Sequence, residues 1–118
     1  MDQGPYWVLP EDLAELYRDD RDCGVSILES FVEQIRLSLE RIHDRLEAGD
    51  GKTLARELHR LKGSLLQLGA SRTGIRCKEF ELAVPSESIE LWRIRLDQIQ
   101  RECATVLIEV EKLLSQKV

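Results

Sequence analysis

Two histidines occur in the 118 residues, His43 and His59, and their neighbourhoods differ. His59 is followed at i+3, i+4 and i+7 by Lys62, Gly63 and Leu66, the positions that share a patch of helix surface with it. Free imidazole titrates at about 6.5, so at pH 7 one ring nitrogen mostly holds a lone pair that can attack an electrophile such as phosphorus. An ammonium one turn along can meet phosphate oxygens as a mobile point charge. The glycine is the odd member. In a helix interior it costs about 1 kcal/mol relative to alanine, and a solvated face does not require it. Clearance explains it: something has to approach the ring over bare backbone.

The element that positions these side chains is a helix over about 51–69. Wound at about 100° per residue, it gathers Leu54, Leu58, Leu61, Leu65 and Leu68 within roughly 40° of one line, a core seam. His59 falls about 140° from that line, so its ring is expected in solvent. Ser64 lies about 140° round from His59 and reads as a packing or backbone-bonding residue, not a nucleophile. Gln67, about 80° away, reads as surface. Ala55 and Leu66 are candidates for an apolar docking rim or for peripheral core.

The run HRLKGSLLQLGA, residues 59–70, resembles the active-site helix of histidine-containing phosphotransfer (HPt) domains. Their signature is His-x-x-Lys-Gly-Ser with Leu-Gly some residues later, and His59, Lys62, Gly63, Ser64, Leu68 and Gly69 fill it. The specific part is those 12 residues, and a compatible helical pattern extends over about 20–118. The resemblance implies that His59 accepts a phosphoryl group from an aspartyl-phosphate and returns it to another aspartate. Lys62 then steadies the phosphoryl group, and Gly63 gives access. The implied partners are the receiver domains of a hybrid histidine kinase and of a response regulator. Each receiver would bring its own acidic pocket and Mg²⁺, so no cofactor or metal is expected on this chain. Many members place a glutamine near the histidine on the next helix, and counting without gaps puts Glu81 there. A carboxylate would hold a neutral imidazole but repel a phosphate, so Glu81 either bonds the unphosphorylated ring or points to solvent.

The remaining elements read as further amphipathic helices. Pro10, Glu11 and Asp12 open a short helix over about 10–18, with Leu13, Leu16 and Tyr17 inward. A long helix over about 23–48 carries Leu28, Phe31, Val32, Ile35, Leu39, Ile42 and Leu46, and Gly49 follows as its cap. A shorter helix over about 71–83 is expected to turn Ile75, Phe80 and Leu82 inward, weakened by Gly74. Val84-Pro85-Ser86 is a stop followed by a cap candidate. A last helix over about 87–116 repeats Ile89, Trp92, Leu96, Ile99, Cys103, Val106, Val110 and Leu113. Short connections make neighbours antiparallel. The expected fold is therefore all-α: one domain over 1–118, an up-down four-helix bundle with a short extra N-terminal helix. Residues 1–9 are expected to be a loose N-terminal segment that Tyr6, Trp7, Val8 and Leu9 could pin to the bundle. Leu91, Leu107 and Leu114 flank the last stripe as buried edges or a dimer face, a monomer being the simpler expectation.

Composition narrows the function classes. With 42% hydrophobic and only 5% aromatic residues, the core must be aliphatic, and 33% charge suits a soluble helical protein. No apolar run is long enough to span a membrane, and MDQGPYWVLPEDL has no secretory pattern. Cys23, Cys77 and Cys103 are odd in number and widely spaced, which fits reduced thiols in the cytoplasm. The net charge of −5 is uneven. Residues 51–78 hold seven cations against Glu57 alone, a local charge of +6, so the rest carries −11. That acidic remainder disfavours nucleic acid. The basic sector around His59 suits a phosphoryl group or an acidic partner, with Arg56 and Arg60 as steering charges.

Other chemistries fail on residue grounds. Glu40 and His43 form one Glu-x-x-His, but a di-iron bundle needs two copies plus two more glutamates. Gly51-Lys52-Thr53 mimics a P-loop end, yet position 46 is leucine and no strand precedes it. Autonomous ATP-dependent kinase activity is therefore not expected. The alternative class is a helical adaptor that docks receivers or partner helices without phosphotransfer. A piece of a larger kinase is a third reading.

Overall fold

The computed structural model describes residues 4–116. Its helices are α1 (Glu11–Asp19), α2 (Arg21–Glu47), α3 (Gly51–Leu68), α4 (Ser71–Ala83) and α5 (Ile89–Leu114), with a 3₁₀ turn over Val84–Ser86 before α5. No strand occurs among the described residues. The fold is the all-α bundle expected, with α1 packed on α2 and each of the other four helices packed on its neighbours in the cycle α2, α3, α4, α5.

Local chemistry sets the boundaries. Asp20 caps α2 by accepting the Cys23 amide at 3.2 Å, and Asp50 caps α3 by accepting that of Thr53 at 3.2 Å. Those bonds to Thr53 hold the Asp50 carboxyl below its ordinary range. Gly49 and Gly69 adopt φ of 69° and 100°, left-handed stops that favour glycine. The cap of α5 is Ser88, whose hydroxyl accepts from Leu91 at 3.4 Å. The expected cap, Ser86, instead sits in the 3₁₀ turn and donates to the Ala83 carbonyl.

The leucine seam of α3 is the centre of the core, and Leu54, Leu58, Leu61, Leu65 and Leu68 have no exposed surface. The stripes of α2 and α5 close over it: Leu28, Val32, Ile35, Ile42 and Leu46 from one, Trp92, Leu96, Ile99, Cys103, Val106 and Val110 from the other. Beside the α5 stripe, Leu107 is buried and Leu114 packs on the core, whereas Leu91 is exposed.

Helix α4 departs from expectation. Ile75 and Leu82 are 55% and 71% exposed, and the buried residues are Thr73, Gly74, Cys77 and Phe80. Polar clamps help seat this helix: Thr73 donates to Glu102 of α5 at 3.0 Å, and Arg76 pairs with the same carboxylate. Gly74 lets α3 come close, because a Cβ there would lie 2.9 Å from Leu66 Cδ2.

The described part of the N-terminal segment is not loose; residues 1–3 lie outside the described residues. Residues 4–10 strap the α3–α4 turn. The Val8 amide donates to the Gly69 carbonyl at 3.1 Å, and Trp7 Nε1 donates to that of Leu68 at 2.9 Å. Arg72 donates to the Gly4 carbonyl at 3.1 Å and lies over the Tyr6 ring at 4.0 Å. A Cβ on Gly69 would stand 2.0 Å from the Val8 carbonyl oxygen. Gly69→Ala is therefore expected to lower stability by about 2 kcal/mol, the left-handed penalty being about 1–2 kcal/mol by itself. Chemical denaturation measures the loss, and a change in Trp7 emission reports release of the strap.

Candidate functional site

Rigid burial on one side of α3 fixes what the other side presents. With the five seam leucines immobile, His59 projects from the opposite side with its side chain 63% exposed. Its Nδ1 is held by two groups. Both oxygens of the Glu81 carboxylate lie 3.3 Å away, and Lys62 Nζ lies at 3.2 Å. The ammonium and the carboxylate are themselves 4.0 Å apart. Of its two expected placements, Glu81 thus takes the one against the ring and does not point away to solvent. Nε2 has no hydrogen bond or ion pair among the described residues and is the ring nitrogen left free.

The proton arithmetic of Nδ1 is restrictive. The nitrogen either carries a hydrogen and donates or holds a lone pair and accepts, never both. A lone pair on Nδ1 could accept from Lys62 but would face two carboxylate oxygens. A hydrogen on Nδ1 donates to those oxygens and leaves Lys62 to pair with the same carboxylate. The second arrangement satisfies the ring and the carboxylate, leaves Lys62 an ion pair with Glu81 at 4.0 Å, and places the free lone pair on Nε2. Carboxylate partners select imidazole tautomers elsewhere by the same rule.

The rest of the basic sector divides. Ala55, Arg56 and Arg60 line an open cleft of about 310 Å³ together with His59 and Glu81. Gly63 opens onto the other flank: a Cβ there would meet nothing within 4 Å. It borders a groove of about 380 Å³ between α2 and α3, shared with Ser64, Gln67, Arg60, Gln34, Leu37, Ser38 and Arg41. Ser64 and Gln67 are therefore groove wall, away from the ring. Leu66, 44% exposed, belongs to a third place, a groove with Val8 and Ile75 beside the N-terminal strap. Arg72 and Arg76 are taken up by Tyr6, Gly4 and Glu102, so they do not add to a basic surface at His59. The α2 residues Gln34, Leu37 and Arg41 escaped the sequence reading, because their place beside Gly63 depends on the register between α2 and α3.

Two of the three thiols are out of reach as nucleophiles. Burial pushes the Cys77 thiol well above its ordinary range and that of Cys103 up to about 12. Cys23 is exposed on α2, and all three thiols are free. Among the described residues, no group of three or more His, Cys, Asp or Glu side chains is placed to hold a metal, and no helix is long and apolar enough to cross a membrane.

Fold and site together define an all-α bundle in which a solvent-facing imidazole, that of His59, is gripped on its inner nitrogen and free on its outer one. The chain belongs to the Hpt domain family, whose model matches residues 26–113. The crystal structure of histidine-containing phosphotransfer protein B (HptB) from Pseudomonas aeruginosa PAO1 is similar over 98% of this chain and 100% of that one, with a TM-score of 0.82 and 26% identity. No curated protein matches the chain.

Proposed function

We propose that this chain is a phosphoryl carrier of a His–Asp phosphorelay and that His59 is its phosphoacceptor. The observation that carries the reading is the free Nε2 on an exposed ring whose Nδ1 is already committed to Glu81. A receiver domain docks with its aspartyl-phosphate over that nitrogen. The Nε2 lone pair forms the N–P bond, and the P–O bond to the aspartate breaks, leaving the receiver its carboxylate. Positive charge that develops on the ring is met by Glu81 across the imidazole. The acidic pocket and Mg²⁺ belong to the receiver, and transfer to a second receiver reverses these steps.

Charge favours docking from the α2 flank. That side offers the Gly63 opening with Arg41 and Arg60, which attract an acidic partner surface. The cleft on the α4 flank also has two arginines, Arg56 and the shared Arg60, but adds the Glu81 carboxylate, which repels such a surface. Transient association is what a carrier needs, since it must release each partner in turn.

Lys62 has a second task in this scheme. When the phosphoryl group arrives, its ammonium turns from Glu81 to the phosphoryl oxygens. Lys62→Ala is expected to slow transfer roughly tenfold without abolishing it, the loss of about one charge-assisted hydrogen bond. Unchanged rapid-quench kinetics would remove Lys62 from the site.

The test of the whole reading is incubation of the purified protein with phosphorylated receivers of its source genome. Acid-labile, base-stable phosphate on His59 is the expected result. Stable receiver binding with no such phosphate would instead identify an adaptor.

A further inference from the structure

The carboxylate at Glu81 has a consequence for the phosphorylated state, where many relatives of this family are expected to offer a neutral amide. Once phosphorus occupies Nε2, the only titratable position left on the ring is Nδ1. Loss of phosphate breaks the Nε2–P bond and returns the electron pair to Nε2. If Nδ1 carries a hydrogen, the ring departs as neutral imidazole. If it does not, the ring must depart as an imidazolate anion, a far poorer leaving group. The group that controls the Nδ1 proton therefore controls how readily the phosphoryl group leaves.

In this chain that group is a carboxylate with both oxygens at 3.3 Å from Nδ1. We propose that Glu81 retains the Nδ1 proton of phosphorylated His59 and so keeps the carrier labile, primed to give up its phosphoryl group rather than to store it. The inference rests on His59 being the phosphoacceptor. The charged groups facing the ring are Glu81 from α4 and Lys62, Arg56 and Arg60 from α3, and no ion pair or hydrogen bond from α2 or α5 reaches it among the described residues. Glu81 is the one anion that these side chains bring to the ring, beside the phosphoryl group itself, whose charge is the same in native and variant protein. The three cations and the carboxylate pull the Nδ1 proton in opposite senses, and the carboxylate is the group in direct contact through two oxygens. An opposite charge at this range shifts a titration by about one unit or more.

The sign follows from the charges. Glu81→Gln keeps an acceptor oxygen of the same shape and removes the negative charge, so the ring loses its proton at lower pH. Below both midpoints, native and variant phosphoproteins hydrolyse alike, because both carry the proton. Between the midpoints the variant persists longer. In the hydrolysis itself the water oxygen forms the new P–O bond and its released proton goes to solvent. The ring keeps its Nδ1 hydrogen and takes back the Nε2 pair.

The test uses the full chain with His43→Asn, which leaves His59 as the sole histidine. The protein is phosphorylated with potassium phosphoramidate, freed of reagent, and followed for phosphate release from pH 4 to pH 10. The pH at which release falls to half its acid plateau is expected to drop by about one unit in Glu81→Gln. Between the two midpoints the variant's half-life is expected to rise up to about tenfold. Superimposable profiles for the two phosphoproteins overturn the role of Glu81 while leaving His59 as acceptor. Absence of phosphate from His59 in the parent overturns the acceptor reading and this inference with it. A merely structural Glu81 would alter the melting temperature without moving the pH profile.

Discussion

His59→Gln is expected to take up no phosphate from any charged receiver while retaining its helical fold. Glutamine is a good helix former, and the ring it replaces is largely in solvent, bonded among the described residues only to Glu81 and Lys62. Exposed substitutions of this kind usually change stability by no more than about 0.5 kcal/mol. The chemistry, in contrast, has no substitute. An amide nitrogen delocalises its lone pair into the carbonyl and does not attack phosphorus. The effect is therefore loss, not slowing. Circular dichroism and thermal melting check the fold, and receiver-to-carrier transfer of radiolabelled phosphate checks the chemistry. Label that persists on the variant would refute the assignment and point to His43, the other imidazole in the chain.

What the sequence made legible was whatever sits on one helix. The α3 seam, the side from which His59 projects and the stop at Gly69 follow from spacing within 19 consecutive residues, 51–69. The stripes of α2 and α5 are equally local, since each repeats large aliphatic residues over many turns. In helix α4 Phe80 is buried as expected but Ile75 and Leu82 are not, for a reason that the same spacing exposes. Placed at about 100° per residue, Ile75 and Leu82 fall within about 20° of each other, but Phe80 falls about 140° from Ile75. The three cannot share an inner face. The consistent stripe is Thr73, Cys77, Phe80 and Val84, two of them small or polar, and all four are buried. Size and hydropathy drew attention to the wrong side of the helix.

What the sequence hid is what depends on two segments meeting. Glu81 is 22 residues from His59, and whether a carboxylate there touches the ring is decided by how closely α4 packs on α3. Gly74 sets part of that approach by admitting Leu66 against its backbone. The N-terminal strap is held through carbonyls of Leu68 and Gly69, acceptors that no side-chain pattern advertises. The charge count over 51–78 also overstated the surface, because Arg72 and Arg76 serve the fold.

Gly63 separates stability from function most sharply. Its absent Cβ faces open space, with nothing within 4 Å, so no internal packing demands glycine there. Gly63→Gln should then stabilise the helix by about 0.5 kcal/mol, since glycine is worse than glutamine in a helix interior. Transfer is expected to fall in the same variant by roughly tenfold or more, since each 1.4 kcal/mol of docking energy lost to the new side chain is a factor of ten. Gly63→Ala, which adds only a methyl group, should lose less. The pair of measurements is a denaturation midpoint that rises and a transfer rate that drops. A variant that melts higher and still transfers at the native rate would mean that the receiver does not pass over this backbone. The α2 flank would then not be its approach.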